Sequence, residues 1–116
     1  MDAVALFSYG TLRFPAVQQA TYGRLLEGRP DALPGYRLMP LHITDPEVVR
    51  LSGQAVHTIA VASNDPSDRI PGVVFELTSS ELEATDSYEV DAYARVEAVL
   101  ESGRRAWVYV GSASVP

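Results

Sequence analysis

The chain has 116 residues, no cysteine and a formal charge of −6, and arginine supplies all nine of its Lys/Arg positions. That length suits one domain over residues 1–116 with room for a real core. The lack of cysteine excludes disulfides, thiolate metal ligands and a thiol nucleophile, and the lack of lysine excludes Schiff-base chemistry and a P-loop lysine.

An acidic chain without a basic stripe repels phosphate backbones, so nucleic acid is not expected as a partner. Hydrophobic residues make up 47 % of the chain and its mean hydropathy is +0.01, the balance of a soluble globular protein. No apolar run approaches the ~20 residues of a bilayer span, so no membrane partner is expected. The start, Met1-Asp2-Ala3-Val4, lacks the basic segment of a secretory signal, and a cytoplasmic location is expected. Oligomeric state is left open.

Ala3 to Phe7 is an apolar run long enough for one buried strand and too short for a typical helix. It ends at Tyr9-Gly10-Thr11-Leu12-Arg13, ahead of Pro15, a residue suited to a first helical turn. A strand that turns at once leaves backbone N–H groups without ladder partners. Such amides form an anion-binding concavity, and Gly10 lets a ligand approach the chain without a Cβ in the way. The same residues also read as a plain strand-to-turn corner.

Pro15 to Leu26 reads as a short, ragged helix weakened by Gly23 and ended by Gly28 and Pro30. Leu33-Pro34-Gly35 signals a turn, and Tyr36 to Ile43 a strand that Pro40 confines to an edge or bulge. Thr44-Asp45-Pro46 breaks the chain. Gln54 to Ala62 reads as extended, 63–69 as a polar surface loop, and Val73 to Leu77 as a strand. His42 and His57 fall in apolar strand-like runs and read as partly buried, satisfied histidines rather than metal ligands or bases.

Thr78-Ser79-Ser80-Glu81 is a capping box that opens a helix to about Tyr88. Leu82 is its core anchor. Glu89, seven positions on, falls nearly on the same face, directed inward or towards a cavity at the helix end. Glu81 and Glu83 read as solvated helix charges. Tyr93 to Glu101 alternates as a strand, Ser102-Gly103 signals a two-residue hairpin, and 105–110 returns with Trp107 and Tyr109 on one face. About six strands and two short helices predict an α+β fold: a small mixed β-barrel or strongly bent sheet with flanking helices.

Two segments carry a resemblance: Tyr9-Gly10-Thr11-Leu12-Arg13, and Asp86-Ser87-Tyr88-Glu89-Val90-Asp91-Ala92-Tyr93-Ala94-Arg95. Together with Leu33-Pro34-Gly35-Tyr36 and Pro71-Gly72-Val73-Val74 between them, they resemble the gamma-glutamylcyclotransferase-like family, including its avirulence-induced-gene-type members. The resemblance implies a cofactor-free cyclisation. The α-amine of a γ-glutamyl compound attacks its own side-chain carbonyl and releases 5-oxoproline and an amine or amino acid. It also implies that Tyr9, Gly10, Thr11, Leu12 and Arg13 cradle the substrate and that Glu89 is the catalytic carboxylate. The chain departs from the family at Thr85, where an apolar residue is common, and at Val90, where glycine is common. These differences bear on turnover and substrate range more than on fold.

A carboxylate can take a proton from the attacking amine and return one to the departing nitrogen if burial lifts its pKa from ~4.3 towards 7. Glu89 can equally hydrogen-bond a strand or pair with Arg95. Tyr93 and Arg95 are expected to support Glu89 from behind or to border the pocket; for Arg95 a surface ion pair is the alternative. Tyr88 and Tyr109 are expected in the core or wall, and Asp86 in a helix-terminal hydrogen bond. Whether the corner grips the substrate carboxylate or the oxyanion stays open. A non-catalytic binder of small carboxylates or γ-glutamyl compounds, on the same fold, is the second functional reading.

Overall fold

The N-terminal apolar run becomes β1 (Val4–Ser8), and its place in the sheet sets the rest of the architecture. It lies mid-sheet, antiparallel to β5 (Arg69–Leu77) and parallel to β7 (Arg105–Gly111), in the order β2-β5-β1-β7-β6. The outer strands are β2 (Gly28–Pro34) and β6 (Tyr93–Val99). A second, two-stranded sheet pairs β3 (Tyr36–His42) with β4 (Val56–Ala62). The computed structural model describes residues 3–89 and 92–112, and among these the helices are α1 (Pro15–Tyr22), α2 (Pro46–Ser52) and α3 (Ser79–Tyr88).

The expected α+β architecture is present, but the sheets do not close into a barrel: the strands form an open five-stranded sheet and a separate pair. Where β4 comes beside β7 there is no ladder. The Tyr9 phenol bridges them instead, accepting from the Ala60 N–H at 2.9 Å and donating to the Tyr109 carbonyl at 2.6 Å. Buried backbone groups must be paired, and here one hydroxyl serves both.

Among the described residues, seven strands replace the expected six. The addition is β2, whose Gly28 and Pro30 looked like a helix stop; Pro30 sits on an edge strand, where its missing N–H costs no ladder bond. The third helix is α2, in the stretch read as a break. Asp45 caps it by accepting from the Glu47 N–H at 2.9 Å, Pro46 opens it, and Gly53 closes it at φ 71°. Helix α1 is shorter than expected because Gly23, at φ 72°, ends it in a left-handed cap. The β6–β7 connection is longer than a two-residue hairpin. Ladder pairing stops at Val99 and Arg105, and the turn docks on β2 through the Glu101 N–H to the Ala32 carbonyl at 2.9 Å.

The capping box of α3 is complete: the Thr78 side chain accepts from the Glu81 N–H, and Glu81 accepts from the Thr78 N–H. Glu81 is not simply a solvated charge, because it also receives Arg24 in a two-point ion pair at 2.8 Å. Leu82 anchors the helix in a core with Leu6, Leu12, Val17, Phe75 and Leu77. A second apolar cluster, around Phe7, Leu33, Ile70 and Val108, fills the other side of the sheet.

Strands β1 and β5 approach closely at Gly72, where a Cβ would lie 2.5 Å from the Ser8 carbonyl and 2.6 Å from the Phe7 ring. Neither neighbour can withdraw without disturbing the central strand. Gly72→Ala is expected to destabilise the fold by about 1–3 kcal/mol, measured by chemical denaturation; unchanged stability would show that β1 can shift.

Candidate active site

The corner after β1 is a single 3-10 turn at Thr11–Arg13, closed by the Arg13 N–H to the Gly10 carbonyl at 3.2 Å and the Phe14 N–H to the Thr11 carbonyl at 2.9 Å. Among the described residues, nothing accepts a hydrogen bond from the Thr11 or Leu12 N–H. These are the unpaired donors that a turn following a strand leaves behind. Gly10 has φ −125°, and a Cβ there would meet no atom within 4 Å. Packing therefore does not demand glycine at this position; open space lies in front of it.

That space is a pocket of about 200 Å³. The corner, from Tyr9 to Arg13, forms one wall, and Gln54, Val56, His57 and Thr58 form another. Glu89, Tyr93 and Tyr109 complete it, so Glu89 and Gly10 border the same hollow. The two are held together by a side-chain bond: the Thr11 hydroxyl lies 2.7 Å from the phenol oxygen of Tyr88, the residue just before Glu89. Glu89 is the C-terminal cap of α3, and its N–H reaches the Thr85 carbonyl at 3.0 Å.

Burial lifts the Glu89 carboxyl pKa to about 8, with the nearby Asp86 charge adding to the rise. Phenols surround it. Desolvation pushes those of Tyr9, Tyr93 and Tyr109 upward, with the Glu89 charge contributing to each. They remain protonated, and their protons have other acceptors: Tyr93 donates to the Thr58 carbonyl at 2.6 Å and Tyr109 to Asp86 at 2.5 Å. Among the described residues, no side chain or backbone group hydrogen-bonds the Glu89 carboxylate itself, which leaves its oxygens for a pocket occupant.

Tyr9 to Arg13, Glu89 and Tyr93 thus border one pocket, with two refinements to the expected arrangement. Tyr9 contributes a buried, doubly bonded phenol to the wall as well as its backbone. Arg95 does not line the pocket: its Nε lies 3.0 Å from Asp86, and its guanidinium lies 4.5 Å from the centroid of the Trp107 ring. Arg13 folds back on the corner, donating from Nε to the Gly10 carbonyl at 3.0 Å, and it is the one cationic arginine on the pocket wall among the described residues.

His57 is the satisfied buried histidine expected, 3.0 Å from the Ser52 hydroxyl, and burial pushes its pKa down so that it is neutral. His42 instead is exposed. Thr85 is fully buried, yet its hydroxyl is used. It donates to the Glu81 carbonyl at 2.8 Å and lies 2.6 Å from the Tyr22 phenol oxygen. Val90 lies outside the described residues.

Two parts of the site carried no sequence signal. The 54–58 wall comes from the start of β4 and the residues just before it, which carry no motif. Gln18, on α1, is buried and donates to the Leu12 carbonyl at 2.9 Å while accepting from the Leu26 N–H at 2.9 Å, which ties the corner to the helix. Among the described residues, no group of His, Asp or Glu side chains is placed to hold a metal ion, and no helix is long and apolar enough to cross a membrane.

Fold and site together define a small α+β protein with a pocket between a backbone corner and a half-buried carboxyl group. The family described as "Gamma-glutamyl cyclotransferase, AIG2-like" matches residues 6–115, and the chain belongs to it. No curated protein matches the chain. Among solved structures, that of an Arabidopsis thaliana protein superposes with a TM-score of 0.73 at 22% identity, over 100% of this chain and 66% of that one. A structure titled "Gamma-glutamyl cyclotransferase" gives 0.73 at 15% identity, over 96% of this chain and 68% of that one. A Pyrococcus horikoshii protein gives 0.60 at 20% identity, covering 93% and 77%. These likenesses establish the fold, and the chain spans about two thirds of the first two proteins.

The Glu89 pKa is higher folded than unfolded, so the folded chain holds a proton that the unfolded chain releases. The group's contribution to stability is complete below about 4.5 and is lost as pH rises through about 8. Glu89→Gln removes that loss. The variant is expected to melt above the wild type at pH 9, with the gap closing near pH 5. The gap reaches a few kcal/mol at most, since a tenfold change in proton affinity is worth about 1.4 kcal/mol. Parallel pH–stability curves would place the carboxyl in water.

Proposed function

We propose that the chain is a γ-glutamyl cyclotransferase, acting on a small γ-glutamyl compound and releasing 5-oxoproline with an amine or amino acid. The observation that carries this reading is the shared pocket: a half-buried carboxyl with no protein hydrogen bond among the described residues and a glycine corner with free N–H donors, fastened together through Thr11 and Tyr88. Membership of the family supports the same reaction class.

The substrate's α-ammonium first gives a proton to ionised Glu89. The freed amine attacks the side-chain carbonyl carbon and closes a five-membered ring. As that carbon's bond to the leaving nitrogen breaks, the protonated carboxyl returns its proton to the departing nitrogen; the ring nitrogen passes its second proton to the carboxylate so regenerated and becomes the lactam N–H, and the released amine takes that proton as it leaves. A carboxyl pKa of about 8 is well matched to an α-amine at ~8, so neither transfer is steeply uphill. An ordinary glutamate, at ~4.3, would accept that proton poorly.

Positioned proton transfer supplies about 10²–10⁴-fold. The rest is assigned to holding the glutamyl chain curled and to the Thr11 and Leu12 N–H groups, which suit either the α-carboxylate or the oxyanion. A pocket of about 200 Å³ suits a small metabolite, being smaller than the roughly 300–1,000 Å³ of drug-sized sites.

Incubation with a panel of γ-glutamyl amino acids and γ-glutamylamines is expected to yield 5-oxoproline, with kcat/KM rising with pH through about 8. Glu89→Gln is expected to lose at least ~10²-fold in kcat while still binding. Absence of product across the panel would refute the reading, and a ligand that raises Tm without being consumed would establish a binding protein instead. Gly10→Ala is expected to keep the wild-type Tm, because its Cβ meets no protein atom, and to lose ligand binding. Unimpaired binding would remove the corner from the site.

A further inference from the structure

The cyclisation uses Glu89 and the corner but leaves a second carboxylate on the same helical turn unexplained. Asp86 lies three residues before Glu89, the spacing that makes helical side chains neighbours, and like charges at that spacing repel. Asp86 is nevertheless held firmly. Its Oδ1 accepts from the Tyr109 phenol at 2.5 Å and lies 3.0 Å from the Arg95 Nε. Arg95 in turn is braced on Trp107, its guanidinium carbon 4.5 Å from the ring centroid. The Tyr109 carbonyl receives the Tyr9 phenol. One residue of β7 therefore holds both the corner tyrosine and Asp86.

We propose that Asp86, clamped by Arg95 and Tyr109, is a positioning residue that sets how readily Glu89 takes up and releases its proton. The clamp fixes a negative charge beside Glu89, and Arg95 compensates part of it. Among the described residues, the other groups facing Glu89 leave this pair as its adjustable charges. Tyr9 from β1, Tyr22 from α1, Tyr88 from α3, Tyr93 from β6 and Tyr109 from β7 are neutral phenols. His57 from β4 is neutral, and Arg13 is tied to the corner carbonyl. Burial is the larger cause of Glu89's raised proton affinity, and Asp86 is the second.

The inference rests on reading Glu89 as the proton-transfer group, but its test needs no turnover. The side-chain carboxyl carbon of Glu89 would be titrated by ¹³C NMR in the full chain, its signal identified by loss in Glu89→Gln. Asp86→Asn keeps the shape and removes the charge, and it is expected to lower the midpoint by on the order of one pH unit. Arg95→Gln leaves Asp86 uncompensated and is expected to raise it. Arg95→Lys, which keeps the charge should Arg95→Gln fold poorly, is expected to fall between wild type and Arg95→Gln. The acid limb of the pH–rate profile should move in the same directions. Midpoints that do not move, or that move the same way in Asp86→Asn and Arg95→Gln, would reduce the clamp to a structural tie and overturn the inference. Opposed midpoint changes in a chain that releases no 5-oxoproline would uphold the clamp and refute the cyclisation reading alone.

Discussion

The phenol of Tyr9 is the interaction on which the rest of the molecule depends. Its oxygen takes the Ala60 N–H from β4 and gives its proton to the Tyr109 carbonyl of β7. Both backbone groups are buried at a place where two strands pass without a ladder, and leaving either unpaired would cost about 1–3 kcal/mol. A side chain that satisfies both lets the second sheet stand beside the first without zipping onto it. The gap between them is the pocket. A closed ladder would have removed the hollow, and an apolar residue at position 9 would have stranded two polar groups.

Around that bridge the site is built by short ties rather than by one rigid element. Thr11 reaches Tyr88, Gln18 holds the Leu12 carbonyl, and Tyr93 reaches the Thr58 carbonyl. Each tie joins separate elements and ends at a wall of the same hollow. Their common effect is to restrict where the corner, the 54–58 wall and the end of α3 can sit. Holding groups in place before a ligand arrives is what makes proximity and oriented donors effective.

The carboxyl of Glu89 is the least favourable group in this arrangement. It is partly withdrawn from water, has a second carboxylate close by, and is ringed by phenols whose protons are spent on other acceptors. Such a group destabilises the fold whenever it is ionised, and strain of this kind concentrates where a site needs an unusual proton affinity. Elsewhere in the core polar groups are paired. The fully buried Thr85 hydroxyl has both Tyr22 and the Glu81 carbonyl.

Local signals determined the parts of the chain whose structure depends on near neighbours. The capping box at Thr78 set the start of α3, the apolar run from Ala3 set β1, and Gly10 marked the corner, because caps, turns and short apolar runs act over a few residues. The inward direction of Glu89 followed from its spacing to Leu82. Signals for α2 were also present in Asp45, Pro46 and Gly53, but a proline after an aspartate reads equally as a break, and only packing of Val48 into the core chose the helix. Tertiary structure alone decided that residues 28–34 form a strand, since Pro30 is tolerable only once β5 is beside it and the other edge is free. It alone set the wall at 54–58, the bond of Gln18 to the corner and the diversion of Arg95 to Asp86. Those contacts join separate elements of the fold, and no local pattern records which backbone group or side chain a residue will find there.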